Sequence, residues 1–67
     1  MKFTLGDKVI LIATNFGIPN RYLNQTATIV RFHGNHLTIK MDSDQIPWST
    51  SKNDVKLVWY NRNGANL

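Results

Sequence analysis

Two histidines flank a two-residue segment in the middle of the chain, in the order His33-Gly34-Asn35-His36. Imidazole is a common metal ligand, so two rings at this spacing could supply part of a coordination shell. A structural zinc site needs four ligands, and neither a cysteine nor a nearby carboxylate accompanies the pair. We therefore expect two solvated turn histidines, with no bound metal and no other cofactor.

The groups that acid–base catalysis requires are few. The chain has two histidines, no cysteine and no glutamate, and its four acidic residues are Asp7, Asp42, Asp44 and Asp54. Each aspartate lies at an expected turn or strand end, whereas acid–base catalysis needs titratable groups that converge in a protected cleft. The sequence therefore predicts a protein that is not an enzyme.

The cations say more about function. Eight lysines and arginines against four aspartates give a formal net charge of +4 over 67 residues. An excess of this size favours anionic partners such as nucleic acid or an acidic protein surface. The competing interpretation is an ordinary soluble domain that happens to be basic.

The histidine segment also predicts a hairpin that would collect several cations. Gly34-Asn35 fits a two-residue type II′ turn, which favours glycine first. The resulting register places His33 opposite His36, Phe32 opposite Leu37, Arg31 opposite Thr38, Val30 opposite Ile39, Ile29 opposite Lys40 and Thr28 opposite Met41. It sorts the side chains by face, with Phe32, Val30, Leu37, Ile39 and Met41 toward the core and His33, Arg31, His36, Thr38 and Lys40 on the other side.

That second face is the first candidate binding surface. Phosphate contacts from its cations would give an affinity that weakens as salt rises. The residues predicted to bind nucleic acid are Arg31, Lys40, His33 and His36 on this face, Lys56 beside it, and Arg21 in the loop at 14–25. The alternative is a solvated sheet face without a ligand.

Aromatic side chains form a second candidate set, consisting of Tyr22, Phe16 and Trp48. Such rings can stack on bases or anchor a protein interface. The alternative is that Phe16 and Tyr22 close the open end of the fold. One residue of the pair Trp59-Tyr60 is also expected to be exposed, because it lies next to a polar tail.

The elements that must position these residues are short strands. Periodicity and turn residues predict strands at 8–13, 26–32, 36–42, 46–49 and 55–60, a long loop at 14–25, and one helical turn at 50–54 with a Ser or Thr cap. Pro47 predicts an edge position for the fourth strand. One domain over residues 1–60 and a flexible tail over 61–67 follow.

This order resembles the SH3-like barrel superfamily, and three fragments resemble its small KOW-type members. They are Gly6-Asp7-Lys8-Val9, Ala27-Thr28-Ile29-Val30 and Asp54-Val55-Lys56-Leu57-Val58. The resemblance implies an all-β, five-stranded SH3-like barrel with one short 3-10 turn before the last strand. It also implies contact with nucleic acid or with nucleoprotein complexes of transcription or translation.

Two functional hypotheses follow. The first is a non-catalytic basic module that binds nucleic acid or a nucleoprotein complex. The second is a small protein-binding adaptor or inhibitor, for example a phage-encoded protein that docks on a host enzyme. The absence of cysteine favours a reducing, cytoplasmic location. No segment approaches the ~20 apolar residues of a membrane span, so we expect no membrane partner, while an unpaired edge strand allows a homodimer.

Overall fold

The computed structural model describes residues 3–60, and the expected tail at 61–67 lies outside them. The strands are β1 (Lys8–Leu11), β2 (Thr26–His33), β3 (His36–Met41), β4 (Pro47–Ser51) and β5 (Val55–Trp59). Two 3-10 turns, η1 (Asn20–Tyr22) and η2 (Lys52–Asp54), complete the elements. The prediction of an all-β fold with a 3-10 turn directly before the last strand is confirmed, whereas η1 was not predicted.

The five strands form one antiparallel sheet in the order β4-β3-β2-β1-β5. The sheet is not closed into a barrel, because β4 and β5 lie at its two edges and do not pair with each other. The predicted edge position of Pro47 is confirmed, and a residue without an amide proton suits such an edge. Ser51 caps η2, since its hydroxyl accepts a hydrogen bond from the Asn53 amide at 3.2 Å.

The core lies on one face of this sheet. Alternate residues of β1, β2 and β3 point into it, and Ile18 and Tyr22 from the 14–25 loop cover it. The apolar residues of β1 and of the segment after it are therefore covered on one face of the sheet only. Ile10 is half-buried and Ile12 is exposed, because side chains of successive strand residues point to opposite faces.

A β-bulge in β2 corrects half of the predicted hairpin register. The pairs nearest the turn are as predicted, and the φ of 61° at Gly34 fits glycine at the first turn position. Beyond them Val30 is an extra residue, so Ile29 pairs with Ile39 and Thr28 with Lys40. The predicted pairs of Val30 with Ile39, Ile29 with Lys40 and Thr28 with Met41 are wrong. Val30 is 43% exposed and Ile29 takes its place in the core.

A second bulge, in β5, changes the position of Trp59. Val9 pairs with Leu57, but Lys8 pairs with Trp59, so Val58 is the extra residue. Val55 and Leu57 pack on the core, whereas Trp59 does not share their face. The indole is 55% exposed, because the bulge shifts the strand alternation by one residue.

Candidate nucleic-acid interface

We call the side of the sheet opposite the core the outer face. One row of directly paired residues crosses it from edge to edge: Trp59, Lys8, Thr28, Lys40 and Pro47. Directly paired residues of antiparallel strands present their side chains on the same face. The row therefore combines an aromatic ring at one edge, two lysines and a threonine between them.

Arg31 lies next to this row. It pairs with Thr38, which is two residues before Lys40 on β3. Diagonal neighbours of this kind have Cα atoms about 7–8 Å apart, so the two cations are close enough to contact one anionic chain. The structure thus brings together Arg31 and Lys40, as the sequence predicted, although the register between them contains the Val30 bulge.

Lys56 joins the same face from the far edge. It pairs with Ile10, which pairs in turn with Thr26 of β2. Lys56 and Trp59 are three residues apart, and the bulge at Val58 allows both to point outward. Two strands, β1 and β2, separate Lys56 from Lys40.

The outer face carries one acidic side chain, Asp42, and its charge is already engaged. Asp42 accepts hydrogen bonds from Lys8 Nζ at 2.9 Å and from Thr26 Oγ1 at 2.7 Å. Desolvation would raise the pKa of Asp42, but the hydrogen bonds from Lys8, Thr26 and Thr28 and the charge of Lys8 outweigh it and hold this pKa below its usual value. Among residues 3–60 this is the single ion pair, so Arg31, Lys40 and Lys56 have no carboxylate partner there.

The two predicted histidines mark the end of the hairpin, where they pair with each other. His33 Nε2 lies 3.2 Å from Thr38 Oγ1. The ring of Phe16 meets the ring of His36 edge-on, with centroids 5.2 Å apart. No group of three His, Cys, Asp or Glu side chains within residues 3–60 is arranged to hold a metal ion.

Arg21 lies apart from the outer face, in the 14–25 loop where the sequence also places it. Its guanidinium carbon is 4.6 Å from the ring centroid of Tyr22, and its Nη2 donates a hydrogen bond to the Tyr22 hydroxyl at 3.0 Å. The hydroxyl in turn donates to Asp44. Arg21 is therefore held by a neighbouring side chain of the 14–25 loop, on the core side of the sheet.

Tyr22 corrects the aromatic prediction most clearly. It was expected among the binding aromatics, but its side chain is only 1% exposed and belongs to the core. The loop folds back over the sheet because Tyr22 finds both an apolar contact, Trp48 at 5.9 Å between ring centroids, and a hydrogen-bond acceptor, Asp44. A ring buried in this way cannot stack on a ligand.

The other two aromatic candidates differ in exposure. Trp48 pairs with Ile39 on the core side and is half-buried, and its Nε1 finds no hydrogen-bond partner within residues 3–60. Phe16 is 50% exposed. Only Phe16 of the three therefore keeps an accessible ring, and it lies at the hairpin end, beside His36.

Two residues of the outer face were missing from the predicted site. Lys8 precedes the inward residue Val9, and strand alternation alone places it outside. Uninterrupted strand alternation would put Trp59 on the same face as Leu57, and no residue near it indicates the bulge that turns it outward. Strand alternation was therefore enough to predict the position of Lys8, whereas no local pattern predicts the face on which Trp59 lies.

The four aspartates hold turns and loops together. Thr4 donates to Asp7 from its amide and its hydroxyl, and Asn15 donates to Asp54 from its amide at 2.9 Å and from Nδ2 at 3.0 Å. Asp44 accepts from Tyr22 and from the Ile46 amide. Hydrogen bonds from Tyr22 and Ile46 lower the pKa of Asp44. In the part of the chain described, each carboxylate thus has a structural partner.

No helix within residues 3–60 has the length and apolar character needed to cross a membrane. Comparisons with family models, with curated proteins and with solved structures found no match to this chain.

Proposed function

We propose that this chain is a non-catalytic module that binds nucleic acid, alone or in a nucleoprotein complex, through the outer face of its sheet. One observation carries the proposal. Arg31, Lys40 and Lys56 share this face without a carboxylate partner within residues 3–60, and its one acidic residue is bound by Lys8. The face therefore presents three uncompensated positive charges.

The chemistry of the face suits a phosphate backbone. Lysine and arginine neutralise phosphates and release the counterions condensed around them, which gives favourable binding at low salt. Threonine hydroxyls also donate to phosphate oxygens in such interfaces. Thr38 lies between Arg31 and Lys40 in the register and can serve this purpose.

The resemblance of the chain to SH3-like domains supports the same proposal. The strand order β4-β3-β2-β1-β5 and the 3-10 turn between β4 and β5 suit an SH3-like arrangement that is open at its edges. The resemblance to KOW-type domains points to nucleic-acid or nucleoprotein partners. Fold alone does not determine function, so the charged face carries more weight.

The test is a salt titration of the full chain with fluorescently labelled oligonucleotides, both a single strand and a duplex. Affinity for at least one of them should fall steeply between about 50 and 200 mM salt. Arg31→Ala and Lys40→Ala should each weaken binding and reduce the slope of log K against log salt by about one.

Lys52→Ala is the matched control. It removes the same charge from an exposed residue of η2, which is not part of the outer face. It should change the slope less than either face variant does. Absence of salt-dependent binding, or an equal effect of all three substitutions, would contradict the proposal.

A second candidate function is protein binding, and the β5 edge favours it. Val58 and Trp59 are both more than half exposed, and Tyr60 follows them at 41%. An edge strand with apolar side chains can accept a strand from a partner. Capture from a lysate, with and without nuclease, separates the candidates, because an adaptor or inhibitor keeps its protein partner after nucleic acid is digested.

A further inference from the structure

The indole of Trp59 is exposed on the outer face, and the binding of phosphates by cations gives no reason for its exposure. A buried tryptophan removes about 150–250 Å² from water, and a short chain has little apolar surface to spare. Without the bulge at Val58, alternation would put Trp59 on the core side with Val55 and Leu57. Bulges often occur where a strand re-aims a side chain toward a functional site.

The neighbours of Trp59 leave its ring open. Its register partner Lys8 directs its ammonium toward Thr28 at 2.8 Å and Asp42 at 2.9 Å. Within residues 3–60 no aromatic ring stacks on the indole and no cation lies over it. A flat π surface is therefore available at the β5 edge of the basic row.

The spacing of this row fits a short stretch of nucleic acid. Trp59 and Lys40 are separated by three strand intervals, which is about 14–15 Å at the usual interstrand distance. Arg31 extends the cationic end of the row on β2. A chain that lies across the strands would meet the aromatic ring at one end and the phosphate-binding cations at the other.

A base pair inside a regular duplex cannot stack on the Trp59 ring. In a duplex the faces of the bases are covered by their neighbours, so side chains contact the base edges through the grooves unless the duplex is first unstacked and kinked. An aromatic side chain contacts the face of a base when the base is unpaired, as on the sheet surfaces that bind single-stranded RNA. The rival arrangement inserts the exposed β2–β3 hairpin into a major groove, which would use Arg31 and His33 but not Trp59.

We infer that the ligand of the outer face is a single-stranded nucleic acid, which crosses β5, β1, β2 and β3 with one base stacked on Trp59 and its phosphates near Lys40 and Arg31. This inference rests on the proposed function. It adds that the nucleic acid is single-stranded and that Trp59 stacks on one of its bases.

The experiment compares a labelled 12-nucleotide oligothymidylate with a 12-base-pair duplex at one low salt concentration. The wild-type chain should bind the single strand more tightly. Trp59→Ala should weaken single-strand binding by about 5- to 160-fold, the range for losing one stacked base. The slope of affinity against salt should not change, because no phosphate contact is removed.

Phe16→Ala is the matched control, since Phe16 is nearly as exposed as Trp59 but lies beside His36 at the end of the hairpin. Because the sequence also predicts Phe16 as a binding aromatic, this variant decides which ring stacks. It should leave single-strand affinity within about twofold of wild type, and a loss as large as that of Trp59→Ala would overturn the placement of the stacked base on Trp59. Trp59→Leu keeps apolar bulk without a stacking ring, and Trp59→Phe keeps a ring. If stacking is the contact, affinity falls in the order wild type, Phe, Leu, provided that circular dichroism shows folded variants.

The outcomes separate this inference from the proposal beneath it. Equal affinity for both probes, or loss of binding with Arg31→Ala but not with Trp59→Ala, would overturn the single-strand inference and leave nucleic-acid binding intact. Lack of salt-dependent binding to either probe would overturn both.

Discussion

Lys8 and Asp42, 34 positions apart in the chain, form an ion pair across the outer face of the sheet, with 2.9 Å between Nζ and Oδ1. The pair connects the start of β1 to the residue after β3, over the intervening strand β2. Thr28 accepts a hydrogen bond from the same ammonium group, and Thr26 donates one to the other oxygen of the same carboxylate. One cation of the face is thereby neutralised by its one acid.

Asp42→Asn should strengthen the binding of nucleic acid. The substitution removes the negative charge on the outer face and frees the Lys8 ammonium for a phosphate. We expect affinity to rise at low salt and the slope of log K against log salt to steepen by about one. Fluorescence anisotropy at several salt concentrations measures both quantities.

Asp44→Asn provides the control for net charge. It changes the charge of the chain by the same amount, but Asp44 bonds to Tyr22 on the core side. It should leave the slope close to that of the wild type. If both variants steepen the slope equally, the net charge of the chain and not the outer face would govern binding.

Ile29 and Val30 provide a direct test of the bulge in β2. Ile29 is 1% exposed and its neighbour Val30 is 43% exposed. Truncation of a buried isoleucine to alanine costs about 2–5 kcal/mol, whereas a surface substitution usually costs within about 0.5 kcal/mol. We therefore expect Ile29→Ala to reduce the free energy of unfolding far more than Val30→Ala does.

Urea denaturation measures the difference. A domain of this size has a net stability of about 3–5 kcal/mol, so Ile29→Ala can unfold the chain. Ile29→Val, at about 0.5–1.5 kcal/mol, keeps the measurement within range. A larger cost for Val30→Ala than for Ile29→Ala would restore the continuous register that the sequence pattern predicts.

This pair of residues also shows where prediction from the sequence ends. The positions of all five strands and the turn-proximal pairs of the hairpin follow from apolar runs, Gly34 and strand alternation. The pattern has two self-consistent solutions for β2, since both Ile29 and Val30 are β-branched and apolar. Which of them is buried depends on the packing of β1 and β3 on either side, which no local signal carries.

The residues of the candidate site also differ in whether local sequence patterns predict their positions. The positions of Arg31 and Lys40 on the outer face could be predicted. Arg31 lies between the bulge and the turn, and Lys40 lies on β3, which has no bulge. Trp59 could not be placed on the outer face, because its position depends on a bulge at Val58, and valine is also common in regular strands. Tyr22 was misplaced because its burial depends on Asp44, which is distant in sequence and supplies the acceptor that a buried hydroxyl needs.

Acidic pH should destabilise the fold through Asp42 and Asp44. Both carboxyl groups have a pKa below the ordinary value in the folded chain. The unfolded chain therefore binds more protons at acidic pH, so the stabilisation is fully present at neutral pH and is lost as the pH falls from about 5 through the folded pKa values. Urea denaturation at pH 7, 4 and 2.5 should show a continuous decrease in the free energy of unfolding.

Tyr22→Phe should reduce this acid sensitivity. The hydrogen bond from the Tyr22 hydroxyl is the main cause of the low pKa of Asp44, so its loss brings that pKa back toward the ordinary value. The variant should be less stable than the wild type at pH 7, and the difference should narrow as the pH falls, because protonation of Asp44 removes the charge that the Tyr22 hydroxyl stabilises. In an Asp44→Asn background, Tyr22→Phe should have a pH-independent effect, because neither the asparagine amide nor the Arg21 guanidinium that contacts the hydroxyl titrates in this range. If, with aspartate kept at position 44, the free energies of unfolding of Tyr22→Phe and the wild type differed by the same amount at every pH, the tyrosine hydroxyl would not hold this carboxylate in its charged form.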